Sequence, residues 1–432
     1  MTNMKLAPAR FLEGRLRLPG DKSISHRAAL IAALADGRSE ISNFSTAADC
    51  ASTLSCLREL GLSIERDENR VVFAGGQKLI APVRPLDCGN SGSTLRMLAG
   101  VLAGHDFTAE LIGDESLSAR PMRRIIEPLE LKGAKIDSTD GKAPLKIQGS
   151  SRLQPITYKI PVASAQVKSA ILFAGLNATG ETTVIESSLT RDHTERLFAG
   201  FGAPIRTNQD LSKTLTGPAR LNGGSITIPG DISSAAYFMA AAMLLPGSDL
   251  TIENVGVNPT RAVFLGVLSS WGGEIRATNM QIERNESFGT ITVRGGLSRK
   301  AGERERTLRS DMIPVVIDEL PLLAVVGSQI SGGITIRDAG ELRFKESDRL
   351  AATAANLRAM GADVEEFDDG LRVHGRTKLH GALIDSHGDH RIAMAFSVAA
   401  LLAEGETEIG SAECVAISFP EFFTLLESVV KR

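Results

Sequence analysis

Cysteine is scarce in this 432-residue sequence: Cys50, Cys56, Cys88 and Cys414 show neither a paired framework nor C-x-x-C spacing. Reduced, buried thiols are expected, and a disulfide scaffold or a cysteine zinc site is set aside. Aromatic residues make up only 4% of the chain, with one tryptophan, Trp271, and two tyrosines, Tyr158 and Tyr237. So few rings, together with a net charge of −3, argue against stacking on nucleic-acid bases. No stretch reaches the ~20 apolar residues of a membrane span. The longest apolar run, Ala235 to Leu245, has the length of a core helix, and the opening MTNMKLAPARFLEG lacks the hydrophobic centre of a secretory signal. A cytoplasmic location is the expectation.

What is present points to a layered enzyme. The length implies at least two domains, and an apolar fraction of 43% supplies ample core. Forty-two glycines against seventeen prolines, without low complexity, imply many tight turns between short elements of an α/β fold.

The turns hide a repeat. LRLPGDKSISHRAALIAALADG from Leu16 returns as ITIPGDISSAAYFMAAAMLLPG from Ile226, matching strand, Pro-Gly-Asp turn, small polar residues, Ala-rich helix and closing glycine. Weaker copies start at Leu86, Tyr158 and Leu383, and a divergent one, PVVIDELPLLAVVG, at Pro314. Glycines near 61, 133, 272 and 361 close a second helix in several copies and precede alternating, strand-like residues. Six βαβαββ units, three per domain, follow. The expected domains are 20–229 and 230–432, with residues 1–19 returning to the second.

In each unit the polar cluster lies between strand and helix, where free N–H groups and the helix dipole make an anion site. Lys22, Ser23 and Arg27 crowd one helical start, with Ser23 and Arg27 on one face. Gly89 to Arg96 forms a glycine-rich helix start that does not match the nucleotide-binding G-x-x-x-x-G-K-[ST] pattern. Arg120, Arg123 and Arg124 follow; Arg120 is the strongest candidate to fork onto a carboxylate or phosphate. Ser164, Ala165 and Gln166 offer a hydroxyl, an N–H and an amide suited to substrate hydroxyls and oxyanions. Asp318 and Glu319 sit between apolar runs that would desolvate a carboxylate toward general-base use. Arg343 to Arg349 places Lys345 and Arg349 four residues apart ahead of an Ala-rich helix. Each of these clusters has a plain alternative as a capped or solvated helix start. His387-Gly388-Asp389-His390-Arg391 has a metal-like look but no ligand-spaced partner set, and Asp389 and His390 read better as orienting Arg391.

Taken together, LPGDKSISHR, GNSGSTLR, RPM, SAQVKSA, GDISSAAY, IDELP, RFKESDRL and DHRIAM, in this order, closely resemble the enolpyruvyl transferase family across essentially the whole chain. The resemblance implies a two-domain inside-out α/β barrel with the active site in a cleft between domains that close like a hinge. It implies joining of shikimate 3-phosphate and phosphoenolpyruvate to give 5-enolpyruvylshikimate 3-phosphate and phosphate, on the route to aromatic amino acids, by a monomer with no cofactor, no metal and no nucleic-acid or membrane partner. By matched position, shikimate 3-phosphate is held by Lys22, Ser23, Arg27, Ser164, Ala165, Gln166, Arg191, Asp318 and Lys345. Phosphoenolpyruvate is held by Lys22, Gly92, Arg120, Gln166, Lys345, Arg349 and Arg391. The implied catalytic set is Lys22, Asp318 and Glu346, with Asp318 as base for the 5-hydroxyl and Glu346 or Lys22 handling the proton at the methylene.

His26, Ala165, Arg191 and Ile417 stand where many family members have asparagine, serine, tyrosine and lysine, and the last three resemble the second class of the family. Gly92 is retained where alanine accompanies insensitivity to glyphosate, so glyphosate is expected to bind. The rival readings are a transferase acting on UDP-N-acetylglucosamine, which normally carries a loop cysteine, a non-catalytic anion-binding relative, and an RNA 3'-phosphate cyclase.

Overall fold

In the computed structural model, which describes residues 3–298 and 306–432, the chain forms two compact units. One comprises Met1–Leu18, Gly230–Gln281 and Ser287–Arg432; the other comprises Pro19–Pro229 and Ile282–Glu286. They are called below the second-half and first-half units.

The first-half unit has three four-stranded sheets with one topology. A leading strand runs parallel to the next strand, and a hairpin continues the sheet antiparallel. The leading strands are Ser225–Thr227, Leu86–Asp87 and Thr157–Lys159, paired with Ser39–Ser42, Thr108–Ile112 and Gly180–Ile185. Each sheet buries one face, as the strict alternation of exposed and buried residues along Lys142–Gln148 shows. The second-half unit repeats the plan with leading strands Phe11–Arg17, Arg306–Leu308 and Leu383–Asp385. In its last sheet Met4–Leu6 replaces the hairpin, pairing antiparallel with Thr407–Gly410.

The leading strands of the strongest repeat are traded. Phe11–Arg17 precedes the first helix of the first-half unit yet pairs in parallel with Asp249–Gly256, Leu16 opposite Ile252. Ser225–Thr227 precedes the first helix of the second-half unit yet pairs with Ser39–Ser42, Ile226 opposite Ile41.

Inside the sheets lie six helices of small and apolar residues: Lys22–Leu34, Gly92–Ala103 and Ala165–Gly175 in one unit, Ile232–Leu244, Leu320–Gly327 and His390–Leu402 in the other. They are apolar nearly all round, so burial is the only setting that suits them. His390–Leu402 and Ile232–Leu244 are buried along almost their whole lengths. Small residues let these helices approach closely: Gly100 lies where an added Cβ would stand 2.2 Å from the Ala170 carbonyl oxygen. Each unit is thus an inside-out α/β barrel, helices within and sheets without.

Most of the helix starts are capped by the polar residue that opens the repeat. Asp21 accepts from Ile24 N–H, Ser91 from Thr94, Asp231 from Ser233 and Asp389 from Arg391. Five of the second helices end in one motif, in which Gly61, Gly133, Gly202, Gly272 or Gly361 adopts positive φ. The next residue's N–H then bonds back inside the helix, as Leu62 does to Leu57 and Ala362 to Leu357. Gly202 was not among the glycines singled out from the sequence.

One expectation needs correction. The run Pro314–Ile317 was read as the strand of the divergent repeat; it is helical, in Met312–Val316 and the 3-10 turn Ile317–Glu319, and the strand lies upstream at Arg306–Leu308. Its β-branched residues favour a strand, but Met312 and Ile313 N–H groups bond back to Arg309 and Ser310 and wind the chain. The charged run from Arg343 does lie ahead of its Ala-rich helix. Asp348 caps the helix at Ala351, so Arg349 opens it and Lys345 stays in the preceding turn.

Candidate active site

Residues expected to bind or react fall into two constellations, one in each unit. In the first-half unit, the Lys22–Leu34 helix delivers Lys22, Ser23 and Arg27. Lys22 pairs with Asp49 at 2.7 Å, which fixes its ammonium at the rim of the helix start. Arg27 is buried, and three of its N–H groups are engaged: Nε on the Thr194 hydroxyl at 2.7 Å, Nη2 on Ser169 at 2.9 Å and Nη1 on the Ser23 carbonyl at 2.8 Å. Burial pushes the guanidinium down to about 10, opposed by Glu195 and assisted by Arg191, so it stays charged at neutral pH. Ser169 donates its only hydroxyl proton to the Ala165 carbonyl, so it accepts from Thr194 and from Arg27. Arg191 reaches Ser23 Oγ at 3.4 Å. Ser23, Arg27 and Arg191 therefore form one cluster.

A second cluster surrounds the start of Gly92–Ala103. Gln166, in the first turn of the Ala165–Gly175 helix, accepts from Arg96 and donates to Ser93 Oγ at 2.9 Å. Arg120 Nη2 is held by Asn90 at 2.9 Å and Ser116 at 3.2 Å. A Cβ on Gly92 would stand 2.8 Å from Arg96 Nη1 and 3.4 Å from Arg120 Nη1, so the bare backbone makes room for both guanidinium groups. Ser164 caps the third helix through Val167 N–H at 3.4 Å, leaving the Ala165 N–H in the first turn, where helix amides lack internal partners.

In the second-half unit the constellation centres on Arg349, 2% exposed. Its guanidinium touches three carboxylates: Glu346 at 2.6 Å, Asp389 at 2.8 Å and Asp318 at 3.5 Å. Burial opposes the charge, yet Asp389, Glu346 and Asp318 together hold Arg349 above the ordinary arginine range. Asp389 also caps Arg391 N–H, so one carboxylate orients both arginines. Arg391 stands 3.9 Å from Asp318 and 3.8 Å from Glu319, and the buried Tyr237 phenol beside it is pushed up to about 12 by desolvation. Desolvation pulls Lys345 below the usual lysine value, against Asp318. Asp318 was expected among apolar side chains; its close neighbours are arginines instead, because its 3-10 turn aims it at the starts of two helices. Ile417, where a family lysine was expected, packs against the core of this unit.

The chain matches the family described as EPSP synthase (3-phosphoshikimate 1-carboxyvinyltransferase) over residues 6–426. The chain belongs to the EPSP synthase family. It is 51% identical, over the full length of both chains, to the 3-phosphoshikimate 1-carboxyvinyltransferase of Koribacter versatilis (strain Ellin345). A solved EPSP synthase from Acinetobacter baumannii superposes with a TM-score of 0.88 at 39% identity, covering 99% of this chain and 98% of that one. The enolpyruvyl transferase NikO from Streptomyces tendae, 20% identical, shares the fold with a TM-score of 0.78 over 98% of this chain and 96% of its own.

Sequence reasoning missed the partners of the family motifs. Asp49, Thr194 and Ser169 hold Lys22 and Arg27; Arg96 holds Gln166; and Arg261 and Ser233 meet Glu319 in the second-half unit. Arg96, Ser169 and Ser233 lie inside the quoted strings GNSGSTLR, SAQVKSA and GDISSAAY, whereas Asp49, Thr194 and Arg261 carried no sequence signal.

Proposed function

We propose that this chain transfers the carboxyvinyl group of phosphoenolpyruvate to the 5-hydroxyl of shikimate 3-phosphate, releasing phosphate. The observation that carries the chemistry is the arginine hub of the second-half unit, which presents Asp318 and Glu346 around one guanidinium with Lys345 and Arg391 alongside. Such a set supplies proton handling and cationic stabilisation at one place.

In this reading Ser23, Arg27, Ser164, Ala165, Gln166 and Arg191 hold shikimate 3-phosphate, with Asp318 and Lys345 at its reacting side. Gly92, Arg120, Gln166, Lys345, Arg349 and Arg391 take phosphoenolpyruvate, and Lys22 serves both. Asp318 removes the 5-hydroxyl proton as the oxygen attacks C2, while Glu346 or Lys22 delivers a proton to C3, giving a tetrahedral ketal. The same proton handler then withdraws a C3 proton as the C2–O bond to phosphate breaks and the vinyl group is restored. Two multiply anionic substrates repel each other, so gathered cations and preorganised donors lower the barrier. Although the chain is net acidic, Lys22, Arg27, Arg120, Arg191, Lys345, Arg349 and Arg391 supply local positive charge for this.

The test is phosphate release from phosphoenolpyruvate with shikimate 3-phosphate supplied or omitted. Release only with both substrates is expected, and release with UDP-N-acetylglucosamine as acceptor would favour the sister reaction. The burial of all four thiols supports the first acceptor, since a cysteine acid needs access.

A further inference from the structure

Five consecutive residues, Arg191 to Glu195, each engage a different partner. Arg191 reaches Ser23 at 3.4 Å, Asp192 pairs with Arg196 at 2.8 Å, His193 Nδ1 meets Glu286 at 2.8 Å, the Thr194 hydroxyl accepts from Arg27 at 2.7 Å, and Glu195 pairs with Lys168 at 2.7 Å. Nothing in the proposed reaction uses the middle pair, although both of its side chains are almost wholly buried, at 1% and 2% exposure.

Glu286 stands at the tip of the hairpin formed by Glu274–Glu283 and Glu286–Arg294, and the tip, Ile282–Glu286, belongs to the first-half unit. The tip clasps helix His193–Gly200 along its length. Arg196 donates to the Asn285 carbonyl at 2.9 Å, and Asn285 returns a bond to the Arg196 carbonyl at 3.1 Å. Arg284 donates to the Gly200 carbonyl at 2.8 Å and stacks over Phe201. At the helix start Glu286 fixes His193, whose sequence neighbours on either side are Arg191-Asp192 and Thr194.

We propose that Glu286 is a positioning residue for the shikimate 3-phosphate side of the reaction: through His193 it sets the start of the His193–Gly200 helix, holding Arg191 against Ser23 and the Thr194 hydroxyl under Arg27. The inference rests on the proposed function. A buried imidazole deprived of its partner shifts or recruits another group, and either displaces the two residues beside it. The consequence is selective. Arg191 and Arg27 move, whereas the Gly92–Arg120 cluster and the arginine hub do not take part in this contact.

The experiment measures both Michaelis constants and kcat for Glu286→Ala, Glu286→Gln and, on the same hairpin tip, Arg284→Ala. Glu286→Ala is expected to raise KM for shikimate 3-phosphate on the order of tenfold, leaving KM for phosphoenolpyruvate and kcat within about twofold. Glu286→Gln, which keeps an acceptor for Nδ1–H and the same shape, is expected to restore most of that loss, and Glu286→Leu, which keeps bulk without an acceptor, replaces the alanine variant if that one does not fold. Arg284→Ala is expected to leave both constants unchanged. An unaltered KM for shikimate 3-phosphate in both Glu286 variants, or equal effects on both substrates, would overturn the positioning role. A wild-type chain that releases no phosphate would overturn the proposed reaction and this role with it.

Discussion

At the scale of single residues, the site depends on what surrounds each charge. Gly92 leaves space that Arg96 and Arg120 fill, and a methyl group there would press on Arg96 Nη1 at 2.8 Å. The obstacle is the end of a flexible side chain, so Gly92→Ala is expected to fold normally. It should raise KM for phosphoenolpyruvate and the glyphosate concentration for half inhibition, each on the order of tenfold. Inhibition curves of the two proteins would check this. His26, bonded through Nδ1 to Thr53 at 2.7 Å, is held neutral by burial, with Lys22 and Arg27 adding to the effect. Its folded-state value lies well below the usual 6.5, so its contribution to stability is full above pH 6.5 and is lost as pH falls below that value, where the unfolded chain takes up a proton that the folded chain refuses. His26→Gln should therefore show a smaller drop in Tm between about pH 7.5 and 5.5 than the parent chain. The polar residues that open the helices, Asp21, Lys22 and Ser91 among them, were legible in the sequence because they lie within three residues of their own helix start. Arg27 with Thr194, and His193 with Glu286, were not legible, since 167 and 93 residues separate the partners and no local pattern marks them.

Elements repeat the same few solutions. The closing glycines were readable because a helix that ends in a left-handed turn selects glycine, and the strand that follows confirms the boundary. Gly133, at φ +108 with nothing within 4 Å of an added Cβ, isolates the backbone contribution. Gly133→Ala is expected to cost about 1 kcal/mol in urea unfolding. Gly100 poses the opposite case. Helix propensity alone favours alanine there by about 1 kcal/mol, but its Cβ would meet the Ala170 backbone at 2.2 Å. Two buried helices would have to separate, so Gly100→Ala is expected to destabilise by about 2–3 kcal/mol. The helical Pro314–Ile317 run misled for a related reason: apolar β-branched residues look alike in a buried strand and in a buried helix, and only tertiary packing decides.

On the scale of the whole molecule, the internal duplication was visible as paired Pro-Gly-Asp turns 210 residues apart. Strand partners were harder to read, because strand register leaves no trace beyond alternation. Phe11–Arg17 lies inside a five-stranded sheet, between Asp249–Gly256 and Val430–Lys431. Deleting residues 1–18 should therefore loosen the second-half unit first. Hydrogen exchange is expected to show lost protection in Asp249–Gly256 while Lys142–Gln148 keeps its own, and equal loss in both would contradict the assignment.

The traded strands have a consequence for modularity. The two halves are not equivalent cassettes: a gene segment running from one Pro-Gly-Asp turn to the next encodes the Ser225–Thr227 strand that its own fold needs, whereas the other half is split, its Phe11–Arg17 strand being encoded ahead of the first turn. A single crossover at the second turn would thus set one donor's Phe11–Arg17 strand beside the other donor's Asp249–Gly256, so such chimaeras should succeed only where Leu16–Ile252 packing is matched, whereas Ile226 and Ile41 always come from one donor.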